Sequence, residues 1–123
     1  MEAAYVFRVR FRLEPRGLRV APDEFETVAE WPAPPPGEPG WRLFHEHLWR
    51  GEASDPAHLR ELFADRLGVA VAAVSFSELR TDRAYLDAFE AAIAADLDRF
   101  GGDSVREVRH RHLGSSVRVV DAE

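Results

Sequence analysis

Several groups of side chains in this sequence have types and spacings that carry chemistry. His45 and His47 form one His-x-His pair, and His110 and His112 form another. On an extended strand, residues two apart share a face, so His45 and His47 could ligate one metal ion through neutral imidazoles. On a helix the same spacing turns the rings apart by roughly 200°, and the stretch around His110 and His112 reads as helix. Glu107 and His110 have the i, i+3 spacing of carboxylate-bridged metal sites, yet such sites use two of these pairs and one is present. These observations weigh against a metal site. If one exists, His45 and His47 are its residues.

Arg8, Arg10 and Arg12, followed by Arg16 and Arg19, concentrate guanidinium groups that can fork onto phosphates or carboxylates. Glu24, Glu26 and Glu30 stand at matching spacing on the next alternating segment, and no aromatic residue shares the arginine face. Cross-strand pairing is therefore the stronger reading, and it argues against nucleic acid. Trp49-Arg50-Gly51-Glu52 is the best candidate for a binding surface, because tryptophan and arginine are enriched at interface hot spots. The structural alternative packs Trp49 into the core and pairs Arg50 with Glu52 or Glu46, or stacks it over Trp31 or Trp41. Gly51 then makes the turn into a helix. This alternative is the better supported of the two.

The pairs Pro32-x-x-Pro35 and Pro36-x-x-Pro39 resemble ligands of aromatic grooves, but such pairs arise by chance in any proline cluster and a rigid hairpin tip is the stronger reading. Ser115 and Ser116 lack a nucleophile-elbow pattern. Asp96 and Asp98 read as solvated surface.

Composition excludes more than it suggests. The sequence has no cysteine, which removes thiolate nucleophiles, disulfides and iron–sulfur ligation. All 16 basic residues are arginine, so no Schiff base and no phosphate-loop lysine can form. No cofactor is implied. The 22 acidic residues, the net charge of −6 and the absence of lysine suit a high-GC genome or a salt-rich cytoplasm. No apolar run approaches the roughly 20 residues of a membrane span, and no basic segment precedes an apolar one as in a secretory signal.

The elements that must position these groups follow from periodicity. Tyr5, Phe7, Val9, Phe11 and Leu13 alternate with Arg8, Arg10 and Arg12 and predict a half-buried strand over residues 4–13. A second alternating run, Glu24–Trp31, is its antiparallel neighbour. Pro32 to Gly40 is an extended loop. Residues 41–50 fit either a helical stripe or a strand; we read a strand that closes a long hairpin with Glu24–Trp31. Ser54 or Asp55 caps a helix with Pro56 in its first turn and Gly68 after its end.

Residues 71–80 then form a buried strand, and Thr81 or Asp82 caps a helix over residues 83–100. Asp103 or Ser104 caps a short helix bearing Val105, Val108, His112 and Leu113, and residues 116–120 end in a strand. The order predicts one α+β domain over residues 1–123, in two layers. Two or three helices pack on one face of a mostly antiparallel sheet.

The blocks Leu48-Trp49-Arg50-Gly51-Glu52, Phe25-Glu26-Thr27-Val28, Leu79-Arg80-Thr81-Asp82 and Leu113-Gly114-Ser115-Ser116 together resemble the small LWR-salt proteins of salt-loving archaea. The resemblance implies a cytoplasmic protein at high salt and carries no catalytic residue across. Two functional classes follow. The first is a non-catalytic module that binds a protein partner or a second copy through Trp31, Trp41, Trp49, Arg50 and Glu52. The second is a small-ligand or metal-dependent domain using a cleft formed by His45, His47, Glu46 and Arg50. Burial of the tryptophans and convergence of the imidazoles decide between them.

Overall fold

A computed structural model describes residues 1–120. β1 (Ala3–Arg12) and β2 (Glu24–Pro32) pair antiparallel in one unbroken register, from Ala4 opposite Pro32 to Arg12 opposite Glu24. β1 also pairs antiparallel with β5 (Ala70–Thr81), with irregularities between Val6 and Phe7 and between Arg10 and Phe11. β6 (Val117–Val119) runs parallel to the end of β5. The sheet order is β2-β1-β5-β6, three strands antiparallel in sequence and one parallel at the edge.

The alternation in β1 decides the layering. Tyr5, Phe7 and Val9 are fully buried and face the helices, while Arg8 and Arg10 are exposed on the other side. Three helices of useful length cover the buried face: α2 (Pro56–Leu67), α3 (Arg83–Ala95) and α5 (Val105–Leu113). This is the α+β architecture with helices against a mostly antiparallel sheet. Their starts are fixed locally. The side chains of Asp55, Asp82 and Ser104 accept from the backbone N–H of His58, Tyr85 and Glu107, which satisfies donors a helix start leaves unpaired.

Two sequence expectations are corrected. Residues 41–50 are not one strand paired with β2. They form a five-residue helix, α1 (Leu43–His47), followed by β3 (Leu48–Trp49), which pairs only with β4 (Glu52–Ala53). The reason is tertiary. The proline segment docks under α3 instead of making a hairpin tip: the Tyr85 hydroxyl donates to the Pro34 carbonyl at 2.7 Å. This carries the chain away from β2 and drops Phe44 into the core, where it meets Phe89 at 4.7 Å and Phe100 at 5.7 Å.

The helix expected over residues 83–100 is also interrupted. Asp96 leaves helical geometry (φ −130°, ψ 31°), and a short helix, α4 (Leu97–Phe100), follows. The break aims Phe100 at Trp41, 5.9 Å away between ring centroids.

Candidate functional site

The Leu48–Glu52 block is a two-residue hairpin. Leu48 faces Ala53, Trp49 faces Glu52, and Arg50-Gly51 is the loop between them. Both loop residues lie at positive φ, 53° for Arg50 and 78° for Gly51. This is the signature of the type I′ turns that match strand twist. Glycine adopts this geometry freely, whereas an arginine there carries a steric cost of about 1–2 kcal/mol.

The tip of the hairpin caps the end of α5. The Arg50 N–H donates to the Arg111 carbonyl at 2.6 Å and the Gly51 N–H to the His112 carbonyl at 3.0 Å. Carbonyls in the last turn of a helix have no partner within it, and here two of them are satisfied by a separate element. The approach is close on both sides. A Cβ on Gly51 would stand 3.2 Å from the Leu113 carbonyl oxygen, and one on Gly114 would stand 3.3 Å from that of Arg50. Gly51 is therefore the inner half of a backbone joint and does not lead directly into α2.

Beneath the hairpin sits His112, buried and polar. Its Nδ1 lies 2.9 Å from the Leu48 carbonyl oxygen, and its Nε2 lies 3.1 Å from Nδ1 of His45. A carbonyl only accepts, so His112 donates through Nδ1, its Nε2 accepts, and His45 donates through Nδ1. That assignment leaves the Nε2 of His45 as an acceptor. Burial holds the His112 and His45 imidazoles below the usual histidine range; Arg111 lowers both further, and for His45 the neighbouring His112 and Arg42 also do so. Phe44, Phe100 and Trp49 present rings to this pair, with Trp49 at 5.7 Å from His112.

The helical form of α1 separates the two histidines proposed as metal ligands. His45 turns to His112, while His47 stacks against His58 at 5.6 Å between centroids. Burial also holds His47 below the usual range, with Glu46 and Asp55 opposing and His58 adding to the shift. Among the described residues no three His, Cys, Asp or Glu side chains are arranged to hold a metal ion. Arg50 is not in a cleft with them; its guanidinium lies 5.9 Å from the Trp49 ring, at the hairpin. It pairs with neither Glu46 nor Glu52, and stacks over neither Trp31 nor Trp41.

The three tryptophans take different roles. Trp41 is 8% exposed and belongs to the core with Phe89 and Phe100. Trp31 is half-buried on β2 against Phe63, with the Arg66 guanidinium 4.4 Å over its ring. Trp49 is 47% exposed. It is the tryptophan that offers surface, and Glu52 beside it is exposed too.

Two arginines of the row, Arg8 and Arg12, are paired with glutamates of β2. Arg12 meets Glu24 at 2.8 Å and Arg8 meets Glu26 at 4.0 Å, while Glu30 pairs with Arg80 of β5 instead. Arg10 makes no ion pair among the described residues.

The contact between His45 and His112 spans 67 residues of sequence, and pairing each histidine with its sequence neighbour missed it. One signal was present: His112 lies on the apolar stripe of α5 with Val108 and Leu113, where a polar ring must find a partner.

Among the described residues no helix is long and apolar enough to cross a membrane. A family model described as LWR-salt protein matches residues 1–123, the whole chain. No curated protein and no solved structure matches it.

Proposed function

We propose that this chain, which belongs to the LWR-salt protein family, is a non-catalytic interaction module. It binds a protein partner, or a second copy of itself, through the Trp49–Arg50 tip of the β3–β4 hairpin. The observation that carries this reading is the residue at position 50. A type I′ turn favours asparagine or glycine at its first central position, yet an arginine sits there at φ 53° beside a half-exposed tryptophan. Local stability is sacrificed where asparagine would relieve it, and such sacrifices concentrate at functional sites. The tip is also held in place, because its backbone caps α5, so an anchor there loses little conformational entropy on binding.

The catalytic alternative lacks an equivalent support. His45 and His47 point apart, and Arg50 belongs to the hairpin. The 22 acidic residues, the 16 arginines and the absence of lysine favour a salt-rich cytoplasm as the setting. In that medium charges act only at contact distance and do not steer an approaching partner, so a tryptophan anchor suits the tip. The pairing of Arg8 and Arg12 with glutamates weighs against nucleic acid as the partner.

The test is affinity purification of the full chain from salt-loving cells at their own salt, read by native mass spectrometry. Wild type should retain a stoichiometric protein or a second copy, and Trp49→Ala should lose it while melting at a similar temperature. Arg50→Asn should be more stable by about 1 kcal/mol and also lose it. Retention by both variants, or a wild-type protein that is a bare monomer, sinks the proposal.

A further inference from the structure

β2 is the edge strand of the sheet, and its outer side is unpaired. Which backbone groups face outward follows from register. The Leu13 N–H donates to the Asp23 carbonyl at 2.8 Å and the Ala33 N–H to the Ala3 carbonyl at 3.0 Å, at the two ends of the β1–β2 ladder. Between them the register is unbroken. Bonded pairs therefore fall at odd positions of β2: Phe25, Thr27, Ala29 and Trp31. The N–H and C=O groups of Glu24, Glu26, Val28 and Glu30 point out, and among the described residues nothing bonds them. Four successive outward positions make a long template. Proteins usually shorten, bulge or cover such an edge.

The side chains along this edge specify what could pair with it. On the open face β2 presents a column of Glu24, Glu26 and Glu30 around Val28, which is 60% exposed. The next column inward, on β1, is Arg8, Arg10 and Arg12. Each glutamate meets its arginine through Oε1: Glu24 with Arg12, Glu26 with Arg8, and Glu30 with Arg80. The columns alternate in sign, and the next column outward would continue that alternation if it were basic. On the helix side the edge offers Phe25, 39% exposed, and half-buried Trp31, so residues entering there would be apolar.

We propose that the free edge of β2 is a docking site for an extended protein segment alternating basic and apolar residues, which joins the sheet as a fifth strand. Main-chain bonds to Glu26, Val28 and Glu30 supply affinity, and the glutamate column supplies selectivity. A second copy of β2 is the wrong occupant. Antiparallel pairing centred on Val28 would set Glu26 against Glu30 of the other copy, and like charges directly opposite destabilise a sheet. This site is separate from the hairpin tip and does not depend on it.

The probes are two synthetic peptides as long as β2, one alternating valine with arginine and one alternating valine with glutamate. Binding to the full chain is followed by calorimetry and by amide hydrogen exchange. The arginine peptide should bind at least about tenfold more tightly than the glutamate peptide. It should also slow exchange at Glu26, Val28 and Glu30, whose N–H groups face outward. Val28→Pro removes one outward donor and no bond to β1, so it should abolish binding while leaving the fold intact. Glu26→Arg should weaken the arginine peptide and strengthen the glutamate one, and Trp49→Ala should change neither. Equal affinity for both peptides, protection mapped elsewhere, or binding that survives Val28→Pro overturns the proposal. Concentration-dependent protection of these amides without peptide would do the same, because it would mean self-pairing.

Discussion

His112 is the residue at which chain chemistry and fold stability meet most directly. Its ring is buried with both nitrogens occupied, one on the Leu48 carbonyl and one on His45. A proton added to Nε2 would turn this acceptor into a donor and force His45 into its other tautomer, and it would put a charge in a site where charge is already disfavoured. The sign of the pH effect follows. The folded-state pKa values of His112, His45 and His47 all lie below the ordinary 6.5, so the unfolded chain binds more protons in the interval between. Their contribution is fully present above pH 6.5 and is lost as pH falls through the folded values. Urea midpoints should therefore drop between pH 7 and about 5. His112→Gln should lower stability at pH 7 by about 1–3 kcal/mol, because a buried partner is left badly served. It should also flatten that pH dependence. An unchanged slope would show that these imidazoles do not set it.

At the scale of elements, the hairpin and α5 stabilise each other, and neither is sufficient alone. β3 and β4 are two residues each, too short to persist without the carbonyls of Arg111 and His112 to bond. Gly51→Ala tests the joint. The left-handed φ of 78° costs an alanine about 1–2 kcal/mol, and its Cβ would press on backbone at 3.2 Å. A loss of about 2 kcal/mol or more in urea unfolding is expected, whereas Gly68→Ala, which meets open space at a similar φ, should cost less. Equal losses would mean the contact with α5 is unimportant.

This joint also marks where the sequence stopped being readable. Strands β1, β2 and β5 and helices α2, α3 and α5 are legible because alternation, apolar stripes and capping side chains act within a few residues. Residues 41–50 are not, since their apolar positions suit two periods and a five-residue helix has no independent stability. What selects helix there is Phe44 against Phe89 and Phe100, and His45 against His112, all distant in sequence. At the candidate site Trp49 and Arg50 are legible as types. Their exposure, and the opposed directions of His45 and His47, depend on contacts that no local pattern encodes.

At the scale of the whole molecule, one sheet face is packed and the other is a field of charge whose members are not equivalent. Pairs at the β2 side, such as Arg12 with Glu24, are well exposed and contribute little, because water screens them and long side chains must be ordered. Glu78 differs. It is 22% exposed and lies 3.3 Å from the Nε of Arg118 on β6 and 3.5 Å from the Nε of Arg80 on its own strand. Arg80 in turn pairs with Glu30 on β2. The chain Glu30–Arg80–Glu78–Arg118 therefore crosses the sheet from one edge to the other.

Besides this, β6 is held by a three-residue parallel ladder and by Val117 and Val119 packed against the core, and parallel pairing is slightly weaker per residue. Removing the Glu78 charge leaves two guanidinium groups facing each other across a partly enclosed site. Glu78→Gln should then destabilise by about 1–2 kcal/mol, while Glu24→Gln should stay within about 0.5 kcal/mol of wild type. Hydrogen exchange should locate the difference. In Glu78→Gln the amides of Arg118 and Val120, the β6 donors to β5, should exchange faster while those of Phe7 and Val9 in the central strand keep their protection. If both variants behave alike, the charged face is uniform solvent-screened surface and β6 is held by packing alone.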